Sequence, residues 1–592
     1  MRRHAHNLSH NVTGTINMGL NYPCTIFEVF PGDSFRIQAK NLTRFLPQVA
    51  PTMHDVFVGI DFYDVPLRQL CDKIGISWDD LLTGGEDGNT NIDFPTITIP
   101  ESGYDPGSLA DWLGYPTNYI DPDTGEKVVV GAGLRLSAFP VIAYMHVINE
   151  NYRDQNFIKK FDLTKYQEFL DGQYAFETPT GDPIDYELCV KGVFPKAWSR
   201  DYFGRALPNT QRGPAVTVPL GTAGLTPDIV DVGTGLTAVY SGPKLYCYDF
   251  TIGGWSVSTS SVIHVEGQPD VLPRYSIESG TIFTNGLVLC PAQQYGQPLV
   301  VSVSSSKVQL MSGTVDIENG GDLTSQSTIR GSNGQYVDLS GVETAANGRG
   351  LDLLAFRLAA RMQRFGEVLQ QSGARAVEFT LAMFGVRIPD ARVQRPIFHG
   401  SFRMPVVFSE VLQTSQTSDT SPQGNLAGHG ITGGVNKPIH IKCIEHGFVI
   451  AIMHVMPRSQ YQNICPKYLL RKNRWDIPNP MFQHVGEQPI KRVEIFPNSK
   501  NPDENFGYVP HYSELGHIPS TLHGHMKDTF LHWTMARLYK TEPVLSAAWR
   551  YEKPTDRSFA VRDEDQMQLA FGFEINARRP FAKNPQPGIH IV

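Results

Sequence analysis

The sequence lacks the features of a disulfide-stabilised secreted protein and of a membrane protein. Its seven cysteines are an odd number, lie far apart and form no C-x-x-C pair. This spacing argues against a disulfide framework and a zinc knuckle, and it suits free thiols in a reducing cytosol. The apolar runs at 139–148 and 447–456 are much too short to span a bilayer, and the first residues lack the apolar core of a secretory signal. We therefore expect a soluble protein made in the cytosol, without membrane insertion.

Motifs that position catalytic groups are also missing. The sequence contains no G-x-x-x-x-G-K-[ST] loop, no G-x-S-x-G nucleophile turn and no H-E-x-x-H zinc helix. Weaker candidates are a group of four histidines, two carboxylate pairs and one acid–histidine pair: His511, His517, His523 and His525; Asp61 with Asp64; Asp79 with Asp80; Glu445 with His446. The histidine spacing matches no helical face, and the carboxylates suit turns and helix ends. We interpret all of them as structural, and we expect no catalytic residue, cofactor or metal ion.

Low charge and frequent turn-forming residues indicate a β-rich globular fold. Charged residues make up 19% of the chain, which contains 54 glycines and 42 prolines. Alternating apolar residues predict a half-buried strand over 56–62, and the β pattern recurs over 441–456, 493–496 and 569–573. Many short strands separated by turns are typical of a sandwich or a barrel.

Three segments have the apolar periodicity of helices. The first spans 64–81, the second 137–152 and the third 350–371, which Ser372 and Gly373 should end. Three arginines flank the apolar stripe of the third helix: Arg357, Arg361 and Arg364. We expect them on a solvated or subunit-facing surface and not on a DNA contact.

Charge is distributed unevenly along the chain. The net charge of −8 argues at first against a nucleic-acid partner. However, residues 221–346 contain four basic and eleven acidic residues, whereas the rest of the chain contains 47 and 48. This acidic segment is rich in Gly, Ser, Thr and Val, and its composition changes sharply at both ends. We predict that it is an independent β-rich insertion.

The two ends of the chain, in contrast, are basic and contain no acid. Arg2 and Arg3 lie at one end, and Arg578, Arg579 and Lys583 lie near the other. Flexible cationic tails can bind phosphates without reading a base sequence. We therefore predict that these five residues face DNA, with ordinary solvated termini as the alternative.

Residues 194–221 combine aromatic and basic side chains with a proline-rich exit. Trp198, Tyr202 and Phe203, beside Arg200 and Arg205, could stack on bases. Clustered aromatic residues usually pack in a core, so we favour a structural anchor. Prolines fix the backbone after residue 208, and the chain should leave this anchor in an extended or turned conformation.

The same block resembles a known family. The pattern DYF…LP..Q.GPAV..PLG over 201–221 is similar to the signature of the major capsid proteins of microviruses (Microviridae), small icosahedral bacteriophages with single-stranded DNA genomes. Further similar motifs follow in family order: PGDSF at 31–35, NYRDQN at 151–156, PDARVQRP at 389–396 and EHG at 445–447. The large insertion after Gly221 resembles gokushovirus-like members.

The resemblance implies a fold and a function. The fold is mainly β: an eight-stranded antiparallel jelly roll of the viral capsid type with inserted helices and long loops, here formed by 25–220 and 347–576. Residues 1–24 become an N-terminal internal arm, 577–592 a basic C-terminal tail, and 221–346 a surface protrusion at the threefold axes. Sixty copies assemble into a T=1 shell around circular single-stranded DNA in the virion, after synthesis in the bacterial host cytoplasm. The implied partners are scaffolding, pilot and small DNA-binding phage proteins and a host cell-surface receptor.

A carbohydrate-binding, lectin-like β sandwich is the alternative function. Four aromatic residues of the acidic segment could stack on sugar rings: Tyr240, Tyr246, Tyr248 and Trp255. The two functions overlap in part, because a capsid protrusion can also contact a receptor or a sugar. A capsid protein that is co-expressed with its scaffold sediments as large particles, whereas a binding module stays small.

Overall fold

The computed structural model describes residues 3–84, 86, 92–212, 353–372, 376–387, 389, 390, 392–412 and 426–583, together with the strands between 239 and 338. The strands, in chain order, are β1 His4–Asn7, β2 His10–Ile16, β3 Asn21–Val29, β4 Ser34–Phe45, β5 Val56–Pro66, β6 Thr96–Thr98, β7 Tyr119–Ile120, β8 Lys127–Val128, β9 Arg135–Ser137, β10 Val239–Ser241, β11 Lys244–Tyr246, β12 Trp255–Val257, β13 Val262–Val265, β14 Tyr275–Ser276, β15 Gly286–Leu289, β16 Leu299–Ser304, β17 Lys307–Ser312, β18 Ile317–Glu318, β19 Thr328–Arg330, β20 Tyr336–Asp338, β21 Ile397–Pro405, β22 Val407–Leu412, β23 Leu426–Val435, β24 Ile439–Lys442, β25 Gly447–Pro457, β26 Gln460–Tyr461, β27 Glu487–Lys491, β28 Asn505–Pro510, β29 Ser520–Thr521 and β30 Met567–Arg579.

Short helices lie between the strands. The α-helices are α1 Leu67–Ile74, α2 Trp78–Thr83, α3 Leu109–Leu113, α4 Phe139–Val147, α5 Tyr166–Leu170, α6 Leu353–Ser372, α7 Ala376–Phe384, α8 Arg492–Ile495 and α9 Ala547–Arg550. A π-helical turn, Ile148–Tyr152, continues α4. The 3-10 turns are Leu163–Lys165, Lys467–Leu470, Arg474–Asp476, Pro480–Phe482, Ser513–Leu515, Gly524–Lys527 and Leu531–Trp533. Within the described residues, no helix is both long enough and apolar enough to cross a membrane.

Two large antiparallel sheets form the framework of the fold. Sheet A has seven strands in the order β1-β30-β4-β23-β22, with β2 also paired to β30 and β24 also paired to β4. Sheet B has four strands in the order β21-β5-β25-β3. The expected mainly β, antiparallel fold of the jelly-roll type is confirmed. The count of eight strands stays a prediction, because the two sheets contain seven and four.

The two sheets pack face to face as a sandwich. Along β4, Phe35, Ile37 and Ala39 are buried while the residues between them are more exposed, as one covered face requires. Phe27 of β3 in sheet B packs on Phe35 of sheet A with ring centroids 5.3 Å apart. A Cβ atom at Gly434 of β23 would lie 2.5 Å from the Met404 sulfur of β21, so the two sheets approach closely at this position.

A helical layer covers the other face of sheet B. Every residue of α4 except Pro140 is buried, as expected for a helix that is apolar on all sides. The hydroxyl of Tyr144 donates to the Asn21 carbonyl at 2.8 Å and accepts from the Phe194 amide at 3.1 Å. These bonds fix α4 against β3 and against the start of the aromatic block.

The helix predictions are confirmed in two of three cases. Helix α6, Leu353–Ser372, matches the third prediction, and α4 with its π-helical end matches the second. The first predicted helix is wrong as a single element, because Gly75 adopts φ 75 and ends α1 before α2 begins. Only glycine enters this left-handed conformation without strain.

The long strand predicted over 441–456 is wrong as one element. Strand β24 belongs to sheet A and β25 belongs to sheet B, and the chain crosses between the sheets at 443–446. The predicted strand at 493–496 is the short helix α8. The segments at 56–62 and 569–573 lie within β5 and β30, as predicted.

The chain divides into two compact units. The framework unit comprises Met1–Gly213 and Gly366–Val592, and the inserted unit comprises Pro214–Phe365. Strands β10 to β20 of the inserted unit form four separate antiparallel sheets of two or three strands each. The roles and limits expected for the acidic segment, the internal arm and the C-terminal tail remain predictions.

Candidate nucleic-acid interface at the chain ends

Both ends of the described chain lie at one edge of sheet A. Strand β1 pairs with the end of β30, with His4 opposite Arg579, and β2 pairs with the earlier part of the same strand. Residues 4–16, expected in an arm, are therefore edge strands, and 577–579, expected in the tail, complete β30. The weak periodicity of 4–16 has a physical reason, since an edge strand exposes much of its surface and need not alternate strictly.

The neighbours Arg578 and Arg579 point to opposite faces of sheet A, because side chains alternate along a strand. Arg579 lies on the core side, where its Nε is 3.2 Å from Oδ2 of Asp33. Its Nη2 donates to the Glu28 carbonyl at 2.7 Å, and the guanidinium lies 5.6 Å from the Phe30 ring. Arg579 therefore ties β30 to the turn between β3 and β4.

Asp33 supplies the negative half of this ion pair. It is fully buried, and its Oδ2 accepts the Phe30 amide at 3.1 Å. Burial raises the pKa of the Asp33 carboxyl, and the Phe30 bond and the Arg579 charge partly oppose that rise. The pair is a structural contact, so DNA contact by Arg579, which stays a prediction, would compete with it.

The other predicted cations lie nearby and are exposed. Arg578 projects from the outward face of sheet A, and Lys583 follows the strand. Arg3 is exposed, and its Nη2 is 3.4 Å from the position of a Cβ on Gly32. Arg2 lies outside the described residues. The fold thus brings Arg3 to the same corner of the sheet as Arg578 and Arg579, which follow it by more than 570 positions in sequence.

The aromatic block is a core anchor, as favoured from its sequence. Trp198, Tyr202 and Phe203 are at most 4% exposed. The Trp198 indole N–H donates to the Glu552 carbonyl at 2.7 Å, and the Tyr202 hydroxyl donates to Glu494 at 2.9 Å. Rings buried in this way cannot stack on bases.

Arg200 and Arg205 are exposed and line a polar cavity of about 330 Å³. The acids Asp154 and Glu378 line the same cavity. A phosphate site needs an excess of positive charge, and this cavity has mixed charge. It therefore adds nothing to the nucleic-acid interface.

The carboxylates considered for acid–base chemistry have structural contacts. Asp61 and Asp64 project to opposite faces of β5, so they do not form a pair. Asp61 accepts the Tyr152 hydroxyl at 2.6 Å, and Glu445 forms a two-pronged ion pair with Arg68 at 3.0 and 3.1 Å. Asp79 and Asp80 lie in the first turn of α2, where the Ser77 side chain accepts a hydrogen bond from the Asp80 amide.

The four histidines at 511–525 make separate local contacts. His517 bonds to the Ser513 carbonyl, and His523 bonds to the Thr521 hydroxyl. His525 lies 3.5 Å from Asp528, and the ring of His511 packs on Tyr512. Over the part of the chain that the structure describes, no group of three or more His, Cys, Asp or Glu is arranged to hold a metal ion.

Sequence reasoning missed a buried polar cluster beneath the helical layer. His454 lies 3.9 Å from Asp61, and the Lys196 ammonium lies 4.4 Å from the centre of the Tyr152 ring. Burial lowers the pKa of Lys196 in this cluster to about 8. Elsewhere in the helical layer, burial lowers the pKa of His146 of α4 to about 3. No motif connects these residues in sequence, so only the packing of α4 on sheet B reveals the cluster.

The predicted receptor or sugar contacts lie in the inserted unit. Tyr240, Tyr246 and Trp255 belong to β10, β11 and β12, and their side chains lie outside the described residues. Tyr248 also lies outside the described residues. Their role stays a prediction.

A two-sheet antiparallel framework of the jelly-roll type is an architecture that viral capsid proteins share with lectin domains. The chain belongs to the family described as capsid protein (F protein), whose family model matches residues 1–589. It is 28% identical to the capsid protein VP1 of Chlamydia phage 1, with 100% of this chain and 96% of the relative covered. It is 27% identical to the VP1 capsid proteins of Bdellovibrio phage phiMH2K (94% and 90% covered) and of Spiroplasma virus 4 (99% and 95% covered). The resemblance to gokushovirus-like microvirus capsid proteins is confirmed.

Proposed function

We propose that this structural major capsid protein assembles as 60 copies into a T=1 icosahedral shell around circular single-stranded DNA. The family match over 1–589 carries the proposal, because it covers the framework and the inserted unit together. Membership of a capsid protein family implies self-assembly, location in the virion and a structural role. We further propose that the chain has no catalytic activity and is synthesised in the bacterial host cytoplasm.

Exposed apolar side chains of the framework unit support assembly. Tyr468, Leu469, Leu515 and Ile518 are between 63% and 95% exposed and border one cavity. Exposed apolar patches of this kind mark protein–protein contacts. In a closed symmetric shell each such patch is covered by a neighbouring copy.

We assign an orientation from the charge distribution. The acidic segment 221–346, with eleven acidic and four basic residues, forms the outer protrusion at the threefold axes, and the basic ends face the interior. Tyr240, Tyr246, Tyr248 and Trp255 are then available to a host receptor or a sugar. Scaffolding, pilot and small DNA-binding phage proteins are the further proposed partners.

The test is co-expression of the full chain with its scaffolding protein, followed by sedimentation and electron cryomicroscopy. We expect uniform particles with 60 copies, with the acidic segment outside and the basic ends inside. Ile518→Lys should abolish particles without destabilising the monomer, whereas the control Leu82→Lys, at a residue that is 57% exposed in α2, should leave assembly unchanged. Other copy numbers, or an acidic segment that lines the interior, would contradict the proposal.

A further inference from the structure

The outward face of sheet A carries a band of positive charge that extends beyond the chain ends. Along β4, Arg36, Lys40 and Arg44 are exposed while their neighbours point into the core. Arg578 of β30 and Lys442 of β24 lie opposite Ser34, on either side of β4. Both are exposed, so five cations share one face of one sheet.

The register fixes how these cations are spaced. A strand rises by about 3.4 Å per residue, so Arg36, Lys40 and Arg44 follow one another at intervals of about 13 Å. Neighbouring strands are about 5 Å apart, which places Arg578 and Lys442 close on both sides of the Ser34–Arg36 end of this row. The cations therefore form a track about 30 Å long, wider at the end that adjoins the corner with Arg3 and Lys583.

Negative charge is nearly absent from this face. At the outward positions of the described strands of sheet A, Glu574 is the one acid, and its carboxylate pairs with Lys40. Within the described residues, the other four cations have no ion-pair partner. The side chains between them are Gln38 and the half-exposed Leu42 of β4, with Asn576 and Gly572 on the neighbouring β30.

The excess of positive charge on this face favours a phosphate track over a protein contact, although apolar side chains are also present. Exposed apolar residues also adjoin the row: Leu42 of β4 lies between Lys40 and Arg44, and Val435 of β23 lies opposite Lys40. Val407 and Val411 are exposed on β22, farther from the cations. The exposed His440 of β24 lies opposite Arg36 on the same face. Evenly spaced exposed cations with one acid among them suit a nucleic-acid backbone that is bound without sequence preference.

We propose that this face of sheet A, centred on Arg36, Lys40 and Arg44, binds the phosphate backbone of single-stranded DNA. The proposal rests on the proposed function, in which the capsid encloses such DNA. It moves the main DNA contact from the chain ends to the sheet, and it makes the corner with Arg3, Arg578 and Lys583 one end of the track.

The test measures binding of the full-length chain to a fluorescent oligothymidylate over a range of salt concentrations. Each phosphate contact with a single strand contributes about 0.7 to the slope of log affinity against log salt. Arg36→Gln, Lys40→Gln and Arg44→Gln combined should lower the slope by about 2 and the affinity by about 100-fold at ~0.1 M salt. The matched control removes three exposed cations outside the two large sheets, Lys472, Lys500 and Arg135, and should leave both values unchanged.

A second variant guards against loss of binding through misfolding. Glu574→Gln removes the one acid and frees Lys40, so the affinity should rise by about fivefold at ~0.1 M salt. A damaged fold cannot produce this gain.

Three outcomes would overturn the inference. They are unchanged binding by the triple variant, an equal loss in the control, and a triple variant that binds DNA normally but no longer forms shells, which would make this face a protein contact. Assembly of the unsubstituted chain is scored separately by sedimentation. If shells form but the oligonucleotide does not bind, this inference fails and the proposed function stands, whereas absence of shells contradicts the proposed function itself.

Discussion

The framework unit and the inserted unit are both β-rich, but they differ in how far their strands extend. In the framework unit β4 has 12 residues and β30 has 13, and both belong to the seven-stranded sheet A, which faces the four-stranded sheet B. In the inserted unit the longest strands have six residues, in sheets of two or three. Long strands in two facing sheets enclose a continuous core, whereas small sheets supply little core of their own. The framework unit therefore contributes the continuous core, and the inserted unit contributes the excess of acidic charge.

The largest expected effect is a loss of stability when the buried aromatic core of the framework unit is truncated. Trp198→Ala should lower the free energy of unfolding by about 3–5 kcal/mol, because it empties a buried site and leaves the Glu552 carbonyl without its donor. Urea denaturation measures this loss. The control Trp475→Ala removes an indole that is 68% exposed and should cost less than about 0.5 kcal/mol. Equal losses would show that the aromatic block is not a core anchor.

Acid should destabilise the framework unit through its buried histidines. Burial lowers the pKa of His146 to about 3, whereas an unfolded histidine titrates near 6.5. Below pH ~6.5 the unfolded chain therefore binds a proton that the folded chain does not bind, and the free energy of unfolding falls by about 1.4 kcal/mol per pH unit. At pH ~4 this loss should reach about 3 kcal/mol, and it is recovered as the pH rises through 6.5.

The variant His146→Gln isolates this effect. Its unfolding free energy, followed by urea denaturation from neutral to acid pH, should fall less steeply than that of the unsubstituted chain. His525→Gln is the matched control, since that side chain is 77% exposed. An unchanged slope for His146→Gln would exclude His146 as a source of acid sensitivity.

A smaller effect separates two adjacent residues at the sheet edge. Arg579→Gln should cost about 2 kcal/mol, because Asp33 remains buried without its ion-pair partner. Arg578→Gln should change the stability by less than about 0.5 kcal/mol but lower the salt slope of DNA binding by about 0.7. Thermal unfolding and oligothymidylate binding measure the two effects. The reverse pattern would contradict the assignment of these residues to opposite faces.

Removal of the acidic segment should change the stability of the framework unit least. Replacing 221–346 by a short Gly/Ser linker removes eleven acidic and four basic residues. If the framework unit folds independently, its unfolding free energy should stay within about 0.5 kcal/mol and particles should still form. These particles should no longer attach to host cells. Failure of the shortened chain to fold would show that the framework unit needs the inserted unit for its stability.

Local sequence patterns predicted single elements better than their connections. The alternation in 56–62 and the periodicity of 350–371 correspond to β5 and α6, because the spacing of apolar residues specifies the type of element. It does not specify burial: β5 is covered on both faces, and Leu358 and Met362 of the α6 stripe are 60% and 54% exposed. The apolar run 441–456 predicted one strand, because residues of both sheets are buried equally whichever sheet contains them. The division into β24 and β25 depends on the pairing partners, which no local pattern specifies.

The candidate interface also depends on strand pairing that no local sequence pattern specifies. The basic ends were visible in the sequence, but the corner that brings Arg3 beside Arg578 depends on pairing between β1 and β30. Arg36, Lys40 and Arg44 are spread over nine positions of an ordinary alternating strand and gave no sequence signal. Their common face appears only when the register of β4 against β30 and β24 is known.

The sequence by itself determined the class of fold, the position of the acidic segment and the family, because composition, alternation and ordered motifs are local or additive properties of the chain. The tertiary structure alone decided which cations are structural and which are exposed. A one-residue step along a strand reverses the face of a side chain, so Arg579 reaches Asp33 inside the sandwich while Arg578 meets solvent. Partners that are hundreds of residues apart set that register, and no local pattern contains them.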